Sequence, residues 1–195
     1  MPTEDKPATG AGYIDLPGQG PIKSFDGIYR QWFTSRHRLL SQNKGGQVPG
    51  HFVKMDGDSV TATAVEKDDK AKFHLHNFTE RRNEQWYDYY ILENQVSGAC
   101  LAVNPEDDTI TVKRAEVRGL RTIAQVKKAN LLDVMFIKEQ KKALDDHFWF
   151  ESCIEDDKKR VLGFDQNGMV LKTTEVEPGS KESLLEMKRV WMEES

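Results

Sequence analysis

From Ser24 onward, short apolar segments alternate with clusters of Gly, Asn, Asp and Lys, and β-branched and aromatic residues gather in the segments. Runs of this length bounded by turn residues predict strands rather than helices. Three stretches share one pattern, an apolar strand entering a tight turn: Arg38 to Gly45, Ala99 to Glu106 and Arg160 to Gly168. Their central residues Leu40, Leu101 and Leu162 recur at a single interval, and Ile28, Tyr89 and Phe150 precede them by a common distance. Thr109 to Val117 and Met169 to Val176 then continue the second and third units alike. Adding Gly27 to Phe33, Phe52 to Met55, Phe73 to Phe78, Trp86 to Leu92, Val134 to Lys138, His147 to Ser152 and Leu184 to Trp191 brings the expectation to twelve strands. A threefold repeat of four strands predicts an all-β fold, a β-trefoil with threefold pseudosymmetry, in which three hairpins close one end of a six-stranded barrel.

Two segments depart from the strand pattern. Leu120, Ile123, Val126 and Ala129 recur at three-residue spacing and predict a short helix, an insertion, between Gly119 and Leu131. Leu184 to Trp191 fits a helical face as well but is assigned as a strand. Residues 1 to 23 hold four of the seven prolines and few large apolar groups, which predicts a flexible leader before a single domain spanning 24–195.

Composition narrows the function. With 31% charged residues and a net charge of −4, bulk attraction to nucleic acid is not expected. The longest apolar runs, such as Val134 to Ile137, fall far short of the roughly 20 residues of a membrane span. No basic region followed by an apolar stretch opens the chain, so no secretory signal is expected and synthesis is assigned to the cytosol. Two cysteines, Cys100 and Cys153, make no disulfide framework and are read as free, partly buried thiols.

Catalytic chemistry finds little support. His74 and His76 would share one face of a strand, but no third ligand is near in sequence, so no metal is assigned. His37, His51 and His147 are isolated, and neither cysteine has an assigned basic partner. Gly45 to Gly50 lacks the Gly-Lys-Ser/Thr end of a phosphate loop and reads as a turn. The basic clusters Lys138 to Lys142 and Lys158 to Arg160 sit beside acids and read as solvated loops. Asn77-Phe78-Thr79 is a glycosylation sequon that a chain bypassing the secretory route would leave unmodified. The expectation is a non-enzyme without cofactor.

Tyr90-Ile91-Leu92, Cys100-Leu101-Ala102-Val103 and Ile110-Thr111-Val112-Lys113 resemble the interleukin-1 superfamily of cytokines, the interleukin-1 and interleukin-18 type. So do Val134-Met135-Phe136-Ile137, Phe148-Trp149-Phe150-Glu151-Ser152, Val161-Leu162 and Val170-Leu171-Lys172, with the Phe-Glu-Ser step the most specific. The likeness covers residues 86 to 190 well and 24 to 80 in outline. The chain departs from the family where Asp156 replaces a proline, where Val161-Leu162 arrives two residues late, and where Gly163-Phe164 replaces a small residue and Thr. The resemblance implies a leaderless cytokine, agonist or antagonist. Such a protein is cytoplasmic as a precursor, is extracellular after unconventional release, and binds an immunoglobulin-domain receptor of the interleukin-1-receptor family as a monomer.

Affinity at such an interface concentrates in aromatic and arginine anchors. The candidates are Arg30, Gln31, Trp32, Arg81, Arg82, Trp86 and Lys138. Asp15 and Asp26 are candidate caspase-type sites for trimming the leader. The main alternative is a carbohydrate-binding trefoil, which often repeats a Gln-x-Trp step; here only Gln31-Trp32 and Gln85-Trp86 come close, out of phase. A heparin-binding growth-factor trefoil would need a basic surface that the composition lacks.

Overall fold

A computed structural model of the chain describes residues 22–23, 28–142 and 145–191. The strands are β1 (Ile22–Lys23), β2 (Tyr29–Ser41), β3 (Phe52–Asp56), β4 (Ser59–Ala64), β5 (Phe73–Arg82), β6 (Gln85–Asn94), β7 (Cys100–Asn104), β8 (Thr109–Lys113), β9 (Met135–Glu139), β10 (Trp149–Ser152) and β11 (Leu185–Arg189). One short helix, α1 (Ile123–Lys128), lies between β8 and β9. The fold is all-β, a curled antiparallel sheet in which β2, β5, β6, β9 and β10 are successive neighbours and β11 flanks β2 on its other side. The bridge Phe148–Leu185, with backbone hydrogen bonds of 3.1 and 2.8 Å, sets the start of β10 against β11.

Alternation explains which face each strand buries. Phe73 and Leu75 on β5, Tyr90 and Leu92 on β6, and Leu39 on β2 point inward and are fully or nearly buried. Phe150 is central: its ring meets Tyr90, Phe136 and Phe148 with centroids at 5.6, 6.1 and 5.0 Å. The outer face has a second apolar cluster. Val117, Val126 and Val134, from the segment between β8 and β9, pack on Phe78, Ile91, Cys100 and Met135. Each such valine stabilises by about 1.5–3 kcal/mol. Thr122 and Gln125 close a capping box that starts α1 where the sequence pattern places a helix.

Two-residue turns join β3 to β4 and β5 to β6. Asn83 and Glu84 between β5 and β6 both take positive φ (49° and 64°), the conformation that matches the twist of the flanking strands. At the far end the hairpins touch one another. Thr61 bridges Met169, and the Ala62 amide donates to the Gly168 carbonyl at 2.7 Å. The Asp108 carbonyl accepts from the Thr173 amide and hydroxyl at 2.9 and 2.7 Å. Arg160, 2% exposed, donates to Asp108 at 2.7 Å and twice to Asp156 at 2.8 Å. Asp156, at the surface, thus completes an ion network whose inner members, Arg160 and Asp108, are buried.

Several expectations change. The strands expected at Gly27 to Phe33 and Arg38 to Gly45 are one 13-residue strand, β2, because its polar Thr34 to Arg36 step still pairs with β5. Ser59–Ala64 is a strand with no counterpart in the sequence reading. The third hairpin consists of the bridges Glu151–Val161 and Phe164–Val170 instead of continuous strands, so eleven strands stand where twelve were expected. The repeat register holds for Leu101, Leu162 and Phe150, all buried in the main core, fails at Ile28, which is half-buried ahead of β2 and outside that core, and slips by one in two places. Leu39 is buried where Leu40 was expected, and Tyr90 faces the main core where Tyr89 was expected. A one-residue slip exchanges the two faces of a strand. Ile22–Lys23 pair with Arg30 and Tyr29, so strand pairing reaches the segment assigned to the leader. Asp15 and Asp26 lie outside the described residues.

Candidate functional site

β2, β5 and β6 continue past the ends of the neighbouring strands, since β11 reaches only as far as His37 on β2, and β9 pairs with β6 only at Tyr89 to Ile91. This projecting ridge, flanked at Tyr29 and Arg30 by the two-residue strand β1, gathers six of the seven anchor candidates. Cross-strand partners share a face. Tyr29, Arg81 and Trp86 form one row, followed on the same face by Gln31, Thr79 and Asp88. Arg30, Glu80 and Tyr87 form a row on the opposite face, followed by Trp32, Phe78 and Tyr89. With strands spaced about 4.8 Å apart, Tyr29 and Trp86 stand about 10 Å from each other.

The ridge exposes large rings that burial would otherwise claim: Tyr29 is 49% exposed, Phe33 37% and Trp86 50%. Arginines lie along them. Arg81 sits 5.7 Å from the Trp86 ring centroid and Arg82 4.4 Å from that of Tyr87. Arg82 also donates to the Tyr89 hydroxyl at 2.7 Å. Buried Glu80 faces Arg30 at 3.3 Å and Arg82 at 3.5 Å, so one carboxylate lies between two guanidiniums from neighbouring strands. Arg121, on the segment leading into α1, stacks 3.8 Å from the Trp32 ring, whose buried indole nitrogen has no hydrogen-bond partner. Contacts of this kind contribute roughly 0.5–1 kcal/mol when exposed and more when desolvated.

Lys138 lies apart on β9, its ammonium 6.0 Å from the Tyr90 ring centroid and 5.6 Å from that of Phe148. Tyr29, Phe33, Tyr87, Tyr89 and Arg121 were missed in the sequence reading. The alternation of β2 carried the signal for Tyr29 and Phe33; Arg121 joins the ridge only through tertiary packing.

The other candidate chemistry is also placed. Asn77 is 1% exposed and donates to the Tyr89 carbonyl at 3.3 Å, while Thr79 lies 2.7 Å from its side-chain oxygen, which leaves a glycan no room at the sequon. Cys100 and Cys153 are free thiols, both pushed up to about 12 by burial, so neither is a thiolate at neutral pH. His74 and His76 share the outer face of β5. His76 is buried, its Nδ1 2.8 Å from the Thr34 hydroxyl. Its Nε2 has no hydrogen bond and lies 3.8 Å from Oε1 of buried Glu93. A cleft of about 280 Å³ opens beside them, lined by Glu93, Gly98, Ala115, Glu116, Val117 and Arg118. Among the described residues no group of three His, Cys, Asp or Glu side chains can hold a metal ion, and no helix is long and apolar enough to cross a membrane.

No protein-family model matches the chain, and no curated protein matches it.

Proposed function

We propose that this protein is an interleukin-1-type cytokine, a β-trefoil whose ridge docks an immunoglobulin-domain receptor. Three things support the trefoil: the neighbour order from β2 through β5, β6, β9 and β10, the Phe148–Leu185 bridge toward β11, and the three hairpins touching at one end. The observation that carries the docking is the exposed row Tyr29, Arg81 and Trp86, rigidly paired across three strands. Aromatic rings with few rotatable bonds beside arginine donors are what protein recognition uses at its energetic centre. A partner that fits presents an apolar contact for Tyr29 and Trp86, with hydrogen-bond acceptors for the arginine beside them.

In this reading the chain is made in the cytosol, trimmed after Asp15 or Asp26, released without a conventional signal and active as a monomer. The test is surface plasmon resonance of the full chain, and of the chain cut by inflammatory caspases, against interleukin-1-receptor-family ectodomains. Saturable binding to one ectodomain is expected. Binding on a glycan array with none to any ectodomain would replace the proposal with the lectin reading.

A further inference from the structure

The segment 114–121 straps the outer face of the sheet. Its polar anchor is Arg118, whose Nε and Nη2 donate at 3.2 and 3.0 Å to one oxygen, Glu93 Oε1. That same oxygen is the atom 3.8 Å from the unpartnered Nε2 of His76. Arg118 is 71% exposed on its side chain, whereas Glu93 and His76 are each 4%. Two cationic donors therefore have a claim on one buried acceptor, and the arginine leaves for water at little cost. Three residues on, Arg121 donates to the carbonyls of Arg118 and Leu120 and stacks on Trp32 of the ridge. The anchor and the ridge are joined through four residues of chain.

The charged groups acting on His76 are Glu93 from β6, His74 from β5 and Arg118 from the strap; Arg36 from β2 acts on His74, and Glu116 of the strap lines the cleft that Glu93 also lines. At neutral pH Glu93 is the one carboxylate Arg118 holds. A proton taken from solvent at His76 makes an imidazolium that can move onto Oε1, and protonation of His74 adds a further cation beside Arg118.

We propose that segment 114–121 is an acid-released strap: His76 displaces Arg118 from Glu93, the strap lifts, and Arg121 withdraws from Trp32, weakening the docking ridge. Its meaning for a receptor rests on the function proposed above; the lifting itself does not.

Burial, its largest cause, lowers His76 to about 4 in the closed state, against about 6.5 once the site is open. One proton then drives opening, and the open population rises roughly thirtyfold between neutral pH and pH 5.0. Hydrogen exchange of the full chain at pH 7.4 and 5.0, with times scaled for intrinsic exchange, reads this directly. The Leu120 amide, bonded to the Val117 carbonyl at 3.1 Å, should lose about thirtyfold in protection while Leu92 and Leu101 keep theirs. His76→Gln should abolish the acid effect, and Arg118→Ala should expose the strap already at pH 7.4. Equal protection of Leu120 at both pH values overturns the proposal, as does a full acid response in His76→Gln. Should that variant fail to fold, Arg118→Lys decides: a weaker hold on Glu93 should raise Leu120 exchange at pH 7.4 and shrink the acid effect, and an acid effect and pH 7.4 protection equal to wild type overturn the proposal. Strap opening without any change in receptor binding would leave the device standing and remove the ridge from its control.

Discussion

At the hairpin end, Arg160 is almost wholly buried, and its Nε, Nη1 and Nη2 all donate to Asp108 or Asp156. At the ridge, Arg81 and Arg82 lie half exposed along the rings of Trp86 and Tyr87. The same side chain is saturated in one place and stacked in the other. The difference is set by what surrounds it: paired carboxylates take up the donors of a guanidinium, whereas a ring face takes none of them.

The comparison can be broken at either end. Arg160→Met should lower stability, because a buried guanidinium site loses its hydrogen bonds and Asp108 is left with Lys158 alone; an unchanged urea midpoint would mean the network is ornamental. Gly168→Ala should cost about 2 kcal/mol. Its φ is +74°, and an added Cβ would stand 2.4 Å from the Ala62 carbonyl oxygen, so the hairpin contact must yield. An unchanged thermal midpoint would show the hairpins do not lock one another.

Between the ends, His37 and His76 are both held at about 4. Burial is the main cause in each, and Arg189 and Lys138 add to it for His37. The unfolded chain takes up these protons near 6.5, so the stability they contribute is complete above that pH and is lost as pH falls toward 4. Urea midpoints at pH 7.5, 6.0 and 4.5 should decline in that order; a flat series contradicts the burial of both rings. At the ridge tip, Glu84→Gly should gain only about 0.5 kcal/mol by relieving a positive φ. A loss there would show that the Glu84 side chain contributes to the turn.

The strand-rich pattern, the helix near Gly119 to Leu131 and the strand at Leu184 to Trp191 were legible because each is a local periodicity. β4 was not: Ser59-Val60-Thr61-Ala62-Thr63-Ala64 has small side chains that give a weak signal until Val60 and Ala62 are seen buried. The equal spacing of Leu40 with Leu101 and Leu162 was a coincidence of register, since Leu39 is the residue in the core. The ridge was legible as residue types and not as a place. Arg30 meets Glu80 across fifty positions of sequence, and only the pairing of β2 with β5 sets Tyr29 beside Arg81 and Trp86.

If a receptor docks on the exposed row of the ridge, as proposed, the affinity of Trp86→Ala and Arg81→Ala chains for the captured ectodomain should fall at least about tenfold below wild type while their thermal midpoints stay unchanged. Wild-type affinity in both variants would exclude the row as the docking surface.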